Sequence, residues 1–360
     1  MHDNQPPTPN GPPPLGRQPG VRPAASGRTT VRRAVAGSAA AVPAGSLRAG
    51  PVRRAGSRPS WFVQAPPGAR YDHLARNPLN AWWRQVVGTL LVALAFFGMA
   101  VFVVVAGAIV AAIADIPAPM TQEQLFGDPV FSLTVTLLSI AAVLPLVYGT
   151  VAVIQRRRPG TLSSVMGRLR WRWLMECVGI VVVALVLGQA ARGRPMWRPA
   201  RNTSELLGWK GWSGFLPALV VIVLLVPFQA AARSTSSAAG SCRPSAPTSA
   251  RRGPGIVLGS AGFAALHAYT DWGILDVFSF GVLMGWLAVR TGGLEAPIAM
   301  HVVNNTLAFA ISAAAGDLDD ALRQGAVPWQ SLAGTVVQLS VFALGVLWLA
   351  RKRAIATVSG

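Results

Sequence analysis

The sequence predicts an all-α polytopic membrane protein with about eight transmembrane helices, preceded by a disordered basic tail. Three observations support this fold class. The chain of 360 residues is 52% hydrophobic and only 12% charged, with a mean hydropathy of +0.45, whereas a soluble domain carries about 25% charged residues. Apolar runs of membrane-spanning length recur from Val86 onward. Basic residues concentrate in the tail and in alternate connecting segments.

The tail is the most basic part of the chain. Residues 1–60 contain nine Arg, eleven Pro and a single acidic residue, Asp3. Such a segment cannot bury enough apolar surface to offset the entropy lost on ordering. We predict that residues 1–80 form a disordered Pro/Arg-rich cytosolic tail that contacts anionic headgroups. Nucleic-acid binding is the alternative, but no RNA- or DNA-binding motif accompanies the tail, so no nucleic acid is expected as a partner.

Apolar runs of about 20 residues, the length that crosses a bilayer, define a helical domain over residues 81–353. The fifth and sixth runs are short and are separated only by the turn Thr-Asp-Trp-Gly. The predicted spans cover residues 86–114, 130–154, 173–191, 213–232, 255–270, 273–290, 293–314 and 331–350.

The distribution of Lys and Arg predicts the orientation of these spans. With both termini in the cytosol, the inside segments carry 26 of the 32 Lys and Arg residues and the outside segments carry 6. This agrees with the positive-inside rule, although the five basic residues of the outside segment 192–212 go against it. We therefore predict a multi-pass protein of the cell membrane, with the lipid bilayer as a partner and both termini cytosolic.

Two of the four histidines, His267 and His301, lie within predicted spans. Ionisable groups at membrane depth are costly to desolvate and usually line a functional cavity. Asn305 follows His301 by four residues and Phe263 precedes His267 by four, so each pair lies on one helix face. Measured from the predicted cytosolic helix ends, His301 lies about 12 Å deep, and His267 and Asn305 about 18 Å. The three polar side chains are therefore expected to meet at one level.

This group of polar side chains has two interpretations. For each histidine alone, a structural hydrogen bond between helices explains the residue as well as a chemical role does. Two convergent imidazoles can instead hold a metal or a water molecule, and an amide can accept from that water or stabilise an oxyanion. Because the pair converges with Asn305, we favour a functional site.

The same residues resemble two signatures of the CPBP family, which comprises CAAX prenyl endopeptidases and bacteriocin-processing membrane proteases and is also called the Rce1-like or abortive-infection family. The signatures are Phe-x-x-x-His, at Phe263 and His267, and His-x-x-x-Asn, at His301 and Asn305. The stretches "APIAMHVVNN", "FSFGVLMGWLAVRTGGL" and "RRRPGTLSSVMGRLRWRWL" are also similar to this family. The likeness covers about residues 80–350.

The resemblance implies an eight-helix intramembrane endopeptidase that hydrolyses peptide bonds of a membrane-associated protein or peptide. It implies that His267, His301 and Asn305 are catalytic, positioning water, the oxyanion or a metal, with Phe263 supporting them. A divalent metal such as Zn, if bound, would be held by His267 and His301. Two His and an Asn form a sparse zinc shell, so a pair of histidines that holds water without a metal stays open.

The third signature of the family, Glu-Glu-x-x-x-Arg, supplies the glutamate that activates water, and it is missing here. It should follow "VPFQAAA", yet no Glu occurs between residues 206 and 294. The general base is therefore unknown, and we expect little or no peptidase activity. Glu176 is not a substitute, because we expect it to be salt-paired beside Arg172 at a cytosolic helix end.

The segment 233–252 stands where the missing motif belongs. Its sequence "RSTSSAAGSCRPSAPTSA" (233–250) is polar and rich in small residues and Pro, which predicts a cytosolic loop rather than a helix. With G/C-rich synonymous codons, reading from the third codon base gives a membrane-like helix that contains Glu-x-x-x-Arg. We therefore favour a compensated pair of frameshifts over a genuine linker, a hypothesis that the nucleotide sequence of codons 228–256 tests.

Two functions other than proteolysis stay open. A non-catalytic binding or immunity protein on the same scaffold would keep the fold and would not need the glutamate. A small-solute transporter would usually show internal repeats or paired broken helices, and the sequence shows no repeat. The sequence predicts no oligomeric state.

Overall fold

The structure, a computed structural model, describes residues 61–75, 79, 81–122, 124–192, 209–241 and 253–360. These residues lie within one compact unit, Ser57–Gly360. The predicted disorder of residues 1–60 lies outside the described residues. The helices are α1 (Trp82–Ile113), α2 (Pro129–Ala141), α3 (Val143–Val153), α4 (Trp171–Ala191), α5 (Gly211–Ser241), α6 (Gly253–Ala265), α7 (Trp272–Thr291), α8 (Glu295–Ala315), α9 (Leu318–Arg323) and α10 (Ser331–Lys352), and the strands are β1 (Tyr269–Asp271) and β2 (Gly325–Val327).

Among the described residues, seven helical segments are long and apolar enough to cross a membrane. They carry large apolar side chains on their outer faces, such as Leu94, Phe102 and Leu344, each about two-thirds exposed. Water would disfavour such surfaces, whereas lipid tails accept them. The predicted all-α polytopic fold is confirmed. The seven segments are Trp83–Ile113, Pro129–Val153, Trp171–Ala191, Gly211–Ser236, Trp272–Thr291, Glu295–Ala315 and Ser331–Lys352.

The fifth predicted span, 255–270, forms a shorter helix than expected. Helix α6 ends at Ala265 after 13 residues, a length of about 20 Å. The backbone N–H of His267 donates to the carbonyl of Ala264 (3.0 Å), and its Nδ1 donates to the carbonyl of Phe263 (2.7 Å). These bonds satisfy carbonyl groups that a helix end leaves without helical partners. His267 therefore lies just beyond α6 and not within a helical span, which corrects the sequence prediction.

The second predicted span, 130–154, consists of two helices, α2 and α3, which meet at Ala142. Pro145 lies in the first turn of α3. A proline has no N–H to donate to the carbonyl four residues earlier, and its ring clashes with that carbonyl. The break therefore falls where Pro145 would otherwise interrupt one continuous helix.

Helix α5 continues through the first part of the anomalous segment and ends at Ser241. The prediction of a loop from Arg233 onward is therefore wrong for residues 233–241, while residues 242–252 lie outside the described residues. The hydroxyl of Thr235 donates to the carbonyl of Ala231, and that of Ser236 to the carbonyl of Ala232 (both 2.7 Å). These bonds let small polar residues remain in a helix because their hydroxyl groups are satisfied within it.

Helices α6 and α7 pack closely through small residues. A Cβ atom at Gly281 would lie 3.1 Å from the Cβ of Ser260, and one at Gly285 would lie 3.1 Å from Ile256. Glycine therefore allows an approach that a larger side chain would obstruct. This contact fixes Phe263, on α6, relative to Phe280, on α7; their rings stack with centroids 6.0 Å apart.

At one end of the helical bundle, residues 61–75 contact later parts of the chain, including the C-terminal residues. Residues 61–75 form isolated bridges with later segments, Val63 with Arg157 and Arg70 with Val358. Leu74 is fully buried. The folded domain thus begins before residue 81, the boundary predicted from the sequence, because this segment contributes to the core.

A buried ion pair at the same end joins α8 to the residue that precedes α4. Nε of Arg170 donates to Oε1 of Glu295 and Nη2 donates to Oε2, both at 2.8 Å. The backbone N–H of Arg170 also donates to Oε1 at 3.0 Å. Glu295 has no solvent exposure, so the two-pronged pairing and the backbone bond together compensate its lost hydration.

At the opposite end, β1 pairs with β2 in parallel, Tyr269 opposite Gly325. Nearby, the side-chain amide oxygen of Gln324 accepts from the backbone N–H of Ala268 at 2.9 Å. The connection between α6 and α7 is thereby tied to the connection between α9 and α10. This attachment holds the chain immediately after His267.

Candidate functional site

His301 lies within helix α8 and faces the protein interior, with only 4% of its surface exposed. The rings of Phe263 and Phe280 meet its imidazole edge to face, each with a centroid distance of 5.8 Å. An imidazole in this position is shielded from the lipid by aromatic rings of two neighbouring helices. The sequence prediction that His301 lies in an interior site agrees with this placement.

His267 reaches the same region from the end of α6. Its ring lies 4.5 Å, between centroids, from Phe263, which also contacts His301 at 5.8 Å. One phenyl ring thus contacts both imidazoles, and the supporting role of Phe263 stays a prediction. The ring of Tyr269 stacks on the other side of the pocket, 6.3 Å from His267. Phe263 therefore contacts both of the histidines that were predicted to share a pocket.

Arg233, on α5, completes this pocket. Its Nη1 donates a hydrogen bond to Nε2 of His267. Nδ1 of His267 donates to the Phe263 carbonyl (2.7 Å), which leaves Nε2 as the acceptor of a neutral imidazole. The cation of Arg233 therefore lies directly beside the imidazole of His267.

Asn305 extends the polar group along α8. Its Nδ2 donates to Oε1 of Gln229, on α5, at 3.2 Å, and Gln229 is itself buried. Its neighbour Asn304 faces another helix, where Oδ1 accepts from Nε2 of Gln338 at 3.2 Å. Asn305 thus belongs to the α5 side of the pocket, one helical turn from His301, whereas Asn304 joins α8 to α10.

A metal at the two histidines would need ring nitrogen lone pairs directed toward it. In His267, Nδ1 carries the proton donated to Phe263, and Nε2 accepts from Arg233. A guanidinium in that position would also repel a cation. In the part of the chain that the structure describes, no three His, Cys, Asp or Glu side chains group closely enough to hold a metal ion. His267 and His301, as arranged beside Arg233, do not fit the predicted divalent metal.

A groove of about 1290 Å³ leads to His267 from the end of the bundle that carries β1 and β2. Most of its wall is apolar. Burial raises the pKa of Tyr269, and the nearby Asp276 carboxylate raises it further, so the phenol keeps its proton and can donate a hydrogen bond. The residues that line the groove include Ala264, His267, Tyr269, Phe278, Val327 and Trp329.

Sequence reasoning missed two members of the site, Arg233 and Gln229. The stretch "VPFQAAAR" places them four residues apart on a continuous helix, a spacing that puts both on one face. This signal was obscured because a loop was predicted from Arg233 onward. Glu176 is salt-paired as predicted, but with Arg353 (2.9 Å) and not with Arg172.

These features define the class of protein: a polytopic helical membrane protein with two imidazoles, an amide and a guanidinium gathered in its interior. Residues 243–307 match the model of the family described as type II CAAX prenyl endopeptidase Rce1-like. The predicted resemblance to the CPBP, Rce1-like protease family is thereby confirmed. The matched segment contains Phe263, His267, His301 and Asn305 and begins C-terminal to Arg233. Comparison with curated proteins and with solved structures gave no match.

Proposed function

We propose that the protein uses the scaffold of a CAAX-type intramembrane endopeptidase to bind a peptide segment of a membrane-associated protein, and that the chain as it stands does not hydrolyse this peptide efficiently. The observation that carries the proposal is the hydrogen bond from Arg233 to His267. This hydrogen bond places a guanidinium beside His267, in a pocket that resembles that of the protease family. A guanidinium cannot act as the base of the protease reaction.

Peptide hydrolysis at such a site needs a group that takes a proton from water as the water attacks the carbonyl. A guanidinium stays protonated in proteins and has no acceptor atom. His267 is not available either, because its Nδ1 proton and Nε2 lone pair are both engaged. Asn305 and His301 still provide groups that can hydrogen-bond to a peptide, and Arg233 can stabilise negative charge. The pocket is therefore suited to binding more than to turnover.

In the catalytic members that the family resemblance implies, a glutamate activates the water, and the imidazoles and amide stabilise the tetrahedral oxyanion. The restored reading frame proposed for residues 233–250 would supply that glutamate. The nucleotide sequence thus separates two versions of the proposal: an active endopeptidase from a frame-restored gene, or a non-catalytic binding or immunity protein if the frame is as written. The protein would lie in the cell membrane with both termini cytosolic, as the Lys and Arg distribution predicts.

To test this proposal, the full chain and a frame-restored version are reconstituted in separate liposomes. Each is incubated with a farnesylated peptide that ends in Cys-aliphatic-aliphatic-X and carries a photoreactive group. A matched peptide without the prenyl group shows whether the lipid is required. We expect the chain as written to be photolabelled within residues 261–275 without releasing a peptide product, and the frame-restored version to release one. Rapid cleavage by the chain as written would contradict the proposed loss of catalysis. Absence of labelling with both peptides would contradict binding.

A further inference from the structure

The two ends of the helical bundle differ in charge. The first end, here called the basic end, comprises residues 61–75 with the start of α1, the ends of α3, α7 and α10 and the start of α4. Its described acidic residues include Glu295, buried against Arg170, and Glu176, paired with Arg353. The exposed basic residues at this end are Arg158, Arg168, Arg172, Arg290, Arg351, Lys352 and Arg353. The opposite end carries Asp115, Asp128, Asp271, Asp317 and Asp319, together with the basic residues Arg192, Lys210 and Arg323.

Tryptophan rings accompany the cations of the basic end. Among the described residues, four cations lie over tryptophan rings, and all four pairs fall at this end. The rings are substantially exposed, from 38% for Trp286 to 61% for Trp348. Trp side chains favour the headgroup level of a bilayer, where their apolar ring and polar N–H are both accommodated. The pairs are Arg84 with Trp83 (5.0 Å), Arg156 with Trp61 (4.3 Å), Arg290 with Trp286 (5.8 Å) and Lys352 with Trp348 (5.0 Å).

Hydrogen bonds from side chains to backbone carbonyls fix the two arginines Arg84 and Arg156. Nη1 of Arg84 donates to the carbonyl of Ile154 (3.2 Å), and Nε of Arg156 donates to the carbonyl of Trp61 (3.2 Å). Nε1 of Trp61 in turn donates to the carbonyl of Ala152 (3.1 Å). The start of α1 and residue 61 are therefore both attached to the end of α3, and Arg84 and Arg156 each stack there on an exposed indole ring.

From this geometry we propose that Arg84 and Arg156 form a binding site for the phosphate of an anionic phospholipid. A guanidinium stacked on an indole still presents N–H groups in its plane, and this planar fork matches a phosphate. The exposed indole rings of Trp61 and Trp83 would contact the glycerol and upper acyl chains of the same lipid. Net negative charge of the lipid is required because a zwitterionic headgroup carries its own cation, which the two arginines repel. This inference does not depend on the proposed peptide-binding function.

Native mass spectrometry tests the site. The full chain in detergent is titrated with palmitoyl-oleoyl phosphatidylglycerol or with the corresponding phosphatidylcholine, and the affinity for each lipid is measured. We expect stronger binding of phosphatidylglycerol to the unaltered chain. The double variant R84Q/R156Q is expected to lose roughly tenfold or more of this affinity, since each basic residue near an anionic headgroup contributes substantially. The variant R323Q, at the opposite end, is the matched control and should bind phosphatidylglycerol like the unaltered chain.

Thermal unfolding of each variant in detergent without lipid shows whether the fold is kept. If R84Q/R156Q does not fold, the single variants R84K and R156K take its place, because lysine keeps the charge but loses the planar fork. Each is then expected to bind phosphatidylglycerol severalfold more weakly. Equal affinity for the two lipids would overturn the proposal, as would phosphatidylglycerol binding that the substitutions do not weaken.

Discussion

Arg233 donates a hydrogen bond to Nε2 of His267, and so a cation from α5 contacts one of the two imidazoles that carry the resemblance to the protease family. The same imidazole is fixed from its other side by the carbonyl of Phe263. The residues that resemble the family signatures therefore lie near one another, and the charged side chain that contacts His267 is a cation, whereas the proposed water-activating group is a carboxylate. This relationship leads directly to the first two predictions.

Replacing Arg233 by glutamate should produce peptidase activity. A carboxylate at the end of a shorter side chain leaves room for a water molecule beside His267 and can accept its proton. General base catalysis of this kind contributes about 10²–10⁴-fold, so we expect R233E to cleave the farnesylated peptide at least about a hundred times faster than R233Q. Product release followed by mass spectrometry is the measurement. Equal rates for R233E and R233Q would show that the charge at this position does not control catalysis.

The same substitution should create a metal site. R233E removes the cation that engages Nε2 of His267 and supplies an oxygen ligand, which gives two imidazoles and a carboxylate, a set that catalytic zinc sites use. We expect about one zinc per chain in R233E after dialysis against zinc, measured by inductively coupled plasma mass spectrometry, and much less than one in the unaltered chain. R233E/H301A is the control and should lose the metal. Stoichiometric zinc in the unaltered chain would refute the exclusion of metal by Arg233.

Loss of Glu295 should destabilise the bundle strongly. Removing one partner of a buried ion pair leaves an uncompensated charge, at a cost of about 3–5 kcal/mol, here the guanidinium of Arg170. Glu176 offers a matched control, because its pair with Arg353 is partly exposed and such pairs contribute about 0–1 kcal/mol. Thermal unfolding in detergent should show a large decrease in Tm for E295A and a small one for E176A. Similar decreases would mean that the buried pair does not fix α8.

The pocket around Phe263 and His301 should form only if α6 packs closely on α7. A leucine at Gly281 would collide with Ser260, and overpacking of this kind costs about 1–3 kcal/mol. The shift of α6 would also move Phe263 away from His301, so G281L is expected to reduce photolabelling of the pocket. G98L is the control, since a Cβ at Gly98 contacts nothing within 4 Å. Unchanged labelling by G281L, with Tm unaltered, would show that this contact does not position the pocket.

The helical class of the protein and most of its spans were predictable because hydropathy is a local property of the sequence. The signature residues were predictable as well, because each pair has a spacing of four: His301 and Asn305 lie one turn apart on α8, and His267 follows Phe263 just beyond the end of α6. The end of α6 was not predictable in this way. It depends on the carbonyl bond made by His267 and on the pairing of Tyr269 with Gly325, which is distant in sequence.

The sequence by itself determined an all-α membrane protein with two histidines in or beside its apolar helices and no glutamate between residues 206 and 294. Only the tertiary structure decided what meets those histidines. The contacts of Arg233 with His267 and of Asn305 with Gln229 join α5 to the ends of other helices, and such contacts depend on which helix faces lie together. Residue order fixes the face on which a side chain lies, but the packing of neighbouring helices fixes the atoms that it touches.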